Sequence, residues 1–306
     1  MTAFTFTASD GAALAAYKWE PPTTPRAIIH IAHGLAEHAG RYARTAKALN
    51  SYGYAVYAND MRGQGQTVKS QDELGFLAEE DGWNRVVLDV AELLAAEAQE
   101  QSGVPLILLG HSLGSYLAQQ LIYEHPDLLT AAILSAPNGK PSLFAQAGRA
   151  IARAERLRLG QRGRSQFINS LTFGKFNEAF APVATPFDWL SRDAAEVKLY
   201  FNDGRCGFLS TTQLWVDFLD GISELANPAH KRLIRPTLPL YIVAGSLDPV
   251  CEQGQGAERL AQEYQTAGLT NVTCKLYPEG RHEMLNEINR HEVVTDLTQW
   301  LDKLVT

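Results

Sequence analysis

The feature that most constrains this chain is a rhythm of short apolar runs, each about the length of one strand, separated by longer stretches with helical spacing. AIIHIA (27–32), AVYA (55–58), PLILL (105–109), AAILSA (131–136), LPLYIVAG (238–245) and VTCKLY (272–277) are such runs. Continuous apolar segments of this length suit strands buried on both faces. Between them, GWNRVVLDVAELLAAEA (82–98) sets Val86, Val87, Val90, Leu93 and Leu94 at helical spacing, and Leu113, Leu117 and Leu121 recur every four residues. Val293, Leu297, Trp300, Leu301 and Leu304 repeat the pattern near the end. Strand alternating with helix predicts an α/β fold built on a largely parallel sheet covered on both sides. FTFTASDGAALAAYKW adds a hairpin around Asp10-Gly11, which brings the expected sheet to about eight strands.

The rhythm breaks once, between the sixth expected strand and LPLYIVAG. Residues 140–237 read as helix and loop with little strand signal, so the chain is expected to form one domain from 1–139 and 238–306, with 140–237 inserted as a helical cap. In SLFAQAGRAIARAERL the spacing puts Leu143, Ala147, Ala150, Ile151 and Ala154 on one side of a helix and the arginines largely on another. Charge is also uneven. The chain carries a net charge of -7, yet residues 140–164 hold Lys140, Arg149, Arg153, Arg156, Arg158, Arg162 and Arg164 against Glu155 alone. Two readings stand open for that run: a solvated helix face, or peripheral contact with an anionic membrane surface or a phosphate-bearing substrate.

The acidic balance argues against a nucleic-acid partner, which calls for a basic face. With 45% hydrophobic and 20% charged residues the chain has the composition of a soluble globular protein. Its apolar runs fall well short of the roughly 18 residues of a bilayer span. MTAFTFTASDG has neither a basic leader nor an apolar signal core, and Cys206, Cys251 and Cys274 have no CxxC spacing. A cytoplasmic setting is expected, with no disulfide framework. His30, His33 and His38 could be read as metal ligands, but no carboxylate or cysteine spacing supports them, and neither a metal nor another cofactor is expected.

The chemistry centres on GHSLG (110–114), which directly follows PLILL and precedes a helical pattern. Between strand and helix, G-x-S-x-G forms a sharp turn that strains the serine backbone and lifts its hydroxyl above the carboxyl edge of the sheet. Ser112 is therefore the expected nucleophile. A serine hydroxyl needs a base, and His282, in YPEGRHEMLNE after the last strand, opens on the same edge. His291 and His125 lie on or beside helices, and His111 points away from its neighbour Ser112 on a tight turn. Asp248, in YIVAGSLDPV after the preceding strand, is the expected acid that orients His282. Asp60 also ends a strand but precedes the serine, whereas this turn type runs Ser, Asp, His; it reads as a loop-stabilising partner of Arg62. Oxyanion donors are expected from the amides of Leu113 and of Leu35 in the His33-Gly34-Leu35 loop.

With those residues placed, HGLAEHAGRY (33–42), ANDMRGQGQT (58–67), LGHSLG (109–114), VAGSLDPV (243–250) and HEMLNE (from 282) resemble the monoacylglycerol lipase and lysophospholipase branch of the α/β-hydrolases. The matches span most of the expected catalytic domain in the family's order. The chain departs in having Leu113 where methionine is common within the pentapeptide, and Ser115 where a glycine commonly follows it. The resemblance implies Ser112 as nucleophile, Asp248 as acid, His282 as base, and a hydrophobic acyl tunnel under the cap. Gly34, His111, Leu143, Phe144 and Ile151 are the expected substrate-binding positions. The leading expectation is an esterase acting on a monoacylated lipid through an acyl-enzyme. A short-chain carboxylesterase, or an aminopeptidase or C-C bond hydrolase on the same triad, is the alternative, and a non-catalytic binder of a small apolar ligand is disfavoured because all three members are present. Epoxide hydrolase or dehalogenase chemistry expects an aspartate in place of Ser112. Acyl length, head group and oligomeric state are left open by the sequence.

Overall fold

The structure, a computed structural model, describes residues 1–139 and 143–305, and for 143–146 the backbone alone. Eight strands form one sheet: β1 (Thr2–Thr7), β2 (Ala13–Trp19), β3 (Ala27–Ala32), β4 (Tyr54–Asn59), β5 (Leu106–His111), β6 (Ala131–Ser135), β7 (Leu240–Gly245) and β8 (Val272–Tyr277). They lie in the order β1-β2-β4-β3-β5-β6-β7-β8. The β1–β2 and β2–β4 pairs are antiparallel, and every pairing from β4 through β3 to β8 is parallel. The expected hairpin turns at Gly11, whose φ of 86° suits a residue without a side chain.

The continuous apolar runs are buried on both faces because helices cover both. β3, β4, β5, β6 and β7 are buried at every position. One face packs under α1 (Ala43–Ser51), with the C-terminal helix Arg290–Leu301 beside it. The other packs under α2 (Gly82–Glu100) and α3 (Leu113–Glu124). One polar residue sits in the middle of a core strand: His30 is fully buried, its Nδ1 2.7 Å from Glu97 Oε1 and its Nε2 3.2 Å from Asn59 Oδ1. A buried imidazole is tolerated there because both nitrogens have partners.

Between β6 and β7 the described residues form helices: α4 (Leu143–Leu159), α5 (Gln166–Leu171), α6 (Phe173–Phe176), α7 (Ala194–Asn202), α8 (Thr212–Leu225) and α9 (Pro228–Lys231). After β7 come α10 (Gln255–Thr266) and the C-terminal helix, α11. α8 joins this segment to the sheet by burying Leu214, Ile222 and Leu225 in the core shared with α2 and α3. The buried face of α4 differs from the expected one. Ala147, Ala150 and Ala154 are exposed, whereas Ala152 is fully buried and Gly148 and Ile151 are half-buried. Leu219 of α8 packs against Gly148, and Ala152 and Ile151 join the cluster that α8 forms through Trp215 and Val216.

Most of the basic run is paired. Arg149 and Arg153 share Asp220, Arg158 pairs with Glu155, and Arg162 with Glu79. Arg156 donates to Gln213, and Arg164 to the carbonyls of Leu209 and Leu74. The Lys140 position and the side chains of Leu143 and Phe144 lie outside the described residues.

Candidate active site

Four of the parallel strands deliver a candidate functional residue at their carboxyl ends. Ser112 follows β5, Asp248 follows β7, His282 follows β8, and the 33–38 loop follows β3. Open α/β sheets present their ligands along this edge.

Ser112 adopts φ 50° and ψ -114° between β5 and α3, a region that L-residues occupy only when the surrounding structure imposes it. Two contacts impose it here. The Ser112 amide donates to the Ser135 carbonyl at 2.9 Å, and the Gly114 amide donates to the His33 carbonyl at 3.1 Å. A Cβ on Gly114 would overlap the Ala32 carbonyl, so only glycine lets α3 start this close to β3.

Asp248 and His282 form a buried pair, 0% and 2% exposed. Both carboxylate oxygens accept from His282 Nδ1, at 2.9 and 3.0 Å, which leaves Nε2 as the free ring nitrogen. Burial works against the imidazolium, but Asp248 outweighs it and raises the His282 pKa above its ordinary value. Ser112 and His282 line one cavity, without a hydrogen bond between them among the described residues. General-base pairs often show this looser spacing until substrate draws the site together.

The two expected oxyanion donors, Leu35 and Leu113, both line the same cavity as Ser112. Leu113 begins α3, where the first N–H groups have no intrahelical acceptor. Among the described residues, neither Leu113 N–H nor Leu35 N–H donates to a protein acceptor. The Leu35 loop is held from both sides. His33, kept neutral because burial lowers its pKa, accepts from the Met61 amide through Nε2 and donates to the Gly34 carbonyl through Nδ1. Gly34 N–H donates to Glu37 Oε1 at 2.5 Å, and Ala36 N–H to Gln64 Oε1 at 2.8 Å.

The cavity measures about 460 Å³, within the range of small-molecule sites. Of the expected substrate-binding positions, Gly34, His111 and Ile151 line it, together with Leu35 and Leu113. His111 sets its ring 4.9 Å from that of His282 and its Nδ1 3.1 Å from Ser135 Oγ. Burial, then the charge of His282, lowers its pKa to about 4.

Much of the wall comes from residues that sequence reasoning missed. Phe173, Trp189, Trp215 and Phe218 line it from the β6–β7 segment, and the Trp189 ring lies 4.9 Å from the His282 ring. The backbone joins there too, since the Glu283 amide donates to the Leu190 carbonyl at 2.8 Å. Glu37 and Glu283, also in the wall, are bridged by Arg41. Burial alone would raise the Glu37 carboxyl, yet the charge of Arg41 chiefly brings it down to about 2.

The expected pairing of Asp60 with Arg62 is not what forms. Asp60 is fully buried and accepts from the Ala39 and Gln66 amides and Tyr17 OH, while Arg62 reaches Asp89 and Asp10. Asp60 does stabilise a loop, through backbone amides that a motif cannot reveal. His30, His33 and His38 share no centre. His38 Nε2 is 2.9 Å from Asp203 Oδ2, and the donor atoms of His38, Asp203 and Cys206 lie within 4.8 Å of one another.

Comparison with known proteins gives the family and the fold. A monoacylglycerol lipase of Mycolicibacterium smegmatis is 28% identical over 92% of this chain and 90% of its own length. The human monoglyceride lipase is 25% identical over 96% and 88%. Among solved structures, a thermostable carboxyl esterase from Bacillus coagulans in complex with glycerol superposes with a TM-score of 0.91 at 24% identity, covering 100% of this chain and 99% of that one, which shows the α/β-hydrolase fold. The family model for serine aminopeptidase, S33, matches residues 23–289, from just before β3 to just before α11. That span takes in the strained serine turn, the Asp248–His282 pair and the whole helical segment between them, and the chain belongs to this family of hydrolases.

Proposed function

We propose that the chain is a serine carboxylic-ester hydrolase that cleaves a monoacylated lipid, with a monoacylglycerol as the preferred class, through an acyl-enzyme. The observation that carries this reading is that strained Ser112 and His282, the latter held by buried Asp248, line one apolar cavity. In this mechanism His282 Nε2 takes the proton of Ser112 Oγ as the oxygen attacks the ester carbonyl, and Asp248 stabilises the imidazolium. The Leu35 and Leu113 amides bind the oxyanion. His282 then protonates the leaving alcohol. Water, deprotonated by the same nitrogen, releases the fatty acid.

The relatives named as monoacylglycerol lipases support the substrate class. The predominantly apolar wall, with Phe173, Trp189, Trp215 and Phe218, suits an acyl chain and so favours a lipid ester over a peptide substrate. Residues 140–237 act as the cap that shields the acyl-enzyme from water. A cytoplasmic setting goes with this reading and suits the free thiols of Cys206, Cys251 and Cys274.

Peripheral membrane contact through 140–164 belongs to the same proposal. Leu157 is 86% exposed beside Arg158, although the ion pairs reduce the charge available. Sedimentation with phosphatidylglycerol vesicles that is insensitive to salt would count against an electrostatic contact.

The test of function compares a monoacylglycerol, a lysophospholipid, a short p-nitrophenyl ester and an aminoacyl anilide with wild type and Ser112→Ala. Fastest turnover of the monoacylglycerol, abolished in the variant, is expected. Faster turnover of the anilide, or activity retained by Ser112→Ala, would overturn the reading.

A further inference from the structure

One buried charge cluster is not used by the chemistry above, yet it touches both sides of it. Arg41 sends a two-pronged hydrogen bond to Glu283, Nη1 to Oε1 at 2.6 Å and Nη2 to Oε2 at 2.7 Å. The same Nη1 lies 2.6 Å from Glu37 Oε2. Glu37 Oε1 accepts the Gly34 amide at 2.5 Å and Tyr42 OH at 2.8 Å, and Glu283 Oε2 accepts Asn286 Nδ2 at 3.0 Å. Glu37 and Glu283 are 2% and 5% exposed, and the guanidinium stacks 4.7 Å from the Tyr200 ring centre.

A buried Glu-Arg-Glu triad is an expensive way to hold a fold together, because well-packed apolar residues are often neutral or stabilising replacements. What it supplies is geometry, since a planar guanidinium fixes two carboxylates in direction as well as distance. Those carboxylates sit at informative places. Glu283 directly follows His282, and Glu37 holds the amide of Gly34, which directly precedes Leu35. One side chain thereby connects the loop of the base to the loop of an oxyanion donor, two segments about 240 residues apart in sequence.

We propose that Arg41 is a positioning residue that clamps the His282 loop to the Gly34–Leu35 loop through Glu283 and Glu37. The inference rests on the roles assigned above to His282 and Leu35. The clamp keeps the proton acceptor and the oxyanion amide in register, so its loss reduces the rate of acyl transfer and leaves substrate binding largely intact. Misplacement by about 1 Å can cost on the order of 10²-fold in rate.

The experiment measures kcat and KM for a soluble monoacylglycerol with wild type, Glu283→Gln, Arg41→Lys and Arg41→Met. Glu283→Gln is the decisive variant, because it leaves Arg41 paired with Glu37 and creates no unpaired buried charge. The expected result is a kcat lower by about 10-fold or more, KM within about threefold, and an unchanged melting temperature. Arg41→Lys should fall between wild type and Arg41→Met, since an ammonium supplies the charge without the planar fork. A Glu283→Gln enzyme with wild-type kcat, or one whose loss lies in KM alone, overturns the clamp. A wild type inactive on every ester instead overturns the function proposed for the site, which separates the two failures.

Discussion

Replacing Asp248 by asparagine examines the proposed chemistry at its most sharply defined contact. Both carboxylate oxygens lie within 3.0 Å of His282 Nδ1, and Oδ1 also accepts the Val250 amide at 2.9 Å. Asparagine fits the same space and can keep the Val250 bond through its carbonyl oxygen, which turns its NH₂ toward the ring. The amide donor now beside Nδ1 favours the tautomer in which Nδ1 accepts and Nε2 carries the proton, the wrong one for receiving the proton of Ser112. Loss of the orienting carboxylate in a serine triad costs about 10⁴-fold in kcat, or about 5.5 kcal/mol of barrier. A pH effect accompanies it. The active form of His282 is neutral, and Asp248 raises its pKa. Wild-type activity should therefore fall as pH drops through a value above the ordinary histidine range. In Asp248→Asn the residual activity should hold to lower pH, because the imidazolium has lost its counter-charge while burial still opposes it. The assay is kcat/KM against pH from about 4 to 9 with a soluble monoacylglycerol. An asparagine variant within tenfold of wild type, with its acidic limb unmoved, would refute the assignment.

Two stability measurements examine the serine turn. Both Ser112→Gly and Ser112→Ala should be inactive, but glycine relieves a backbone strain of order 1–3 kcal/mol at φ 50°. Against the roughly 0.5–1 kcal/mol that glycine costs in chain entropy, Ser112→Gly should be the more stable of the two in urea; a more stable alanine variant would mean the turn is unstrained. Gly114→Ala drives a Cβ into the Ala32 and His33 carbonyls, backbone atoms that cannot swing aside, and should lower stability by about 3 kcal/mol. For a chain of this length that is roughly 5 °C in melting temperature, and an unchanged melting curve would show that α3 can retreat from β3.

The parts of this molecule that obey local rules were legible in its sequence. The apolar runs became the buried strands because both faces of the sheet are covered, and GHSLG found its strained turn because strand, glycine and helix are adjacent in the chain. Asp248 and His282 could be placed because each follows a parallel strand and so must emerge on the serine's edge. What stayed hidden was every partner chosen by tertiary packing. Arg62 sits two residues from Asp60 yet reaches Asp89 and Asp10, and Arg41 finds Glu283 across the fold. The aromatic wall from Phe173 and Trp189 comes from short helical turns without usable periodicity. Arg149, Arg153 and Arg162 looked like free charge because their partners, Asp220 and Glu79, lie far away in sequence.

The most direct measurement is a crystal structure of the enzyme after reaction with a long-chain alkyl fluorophosphonate, which traps the geometry of acyl transfer on the nucleophile. The account predicts phosphorus bonded to Ser112 Oγ, one phosphonyl oxygen bound by the Leu35 and Leu113 amides, His282 Nε2 within hydrogen-bond reach of Oγ, and the alkyl chain between Ile151 and Phe218. A label on any other residue, or a His282 ring turned away from the adduct while still bonded to Asp248, would contradict it.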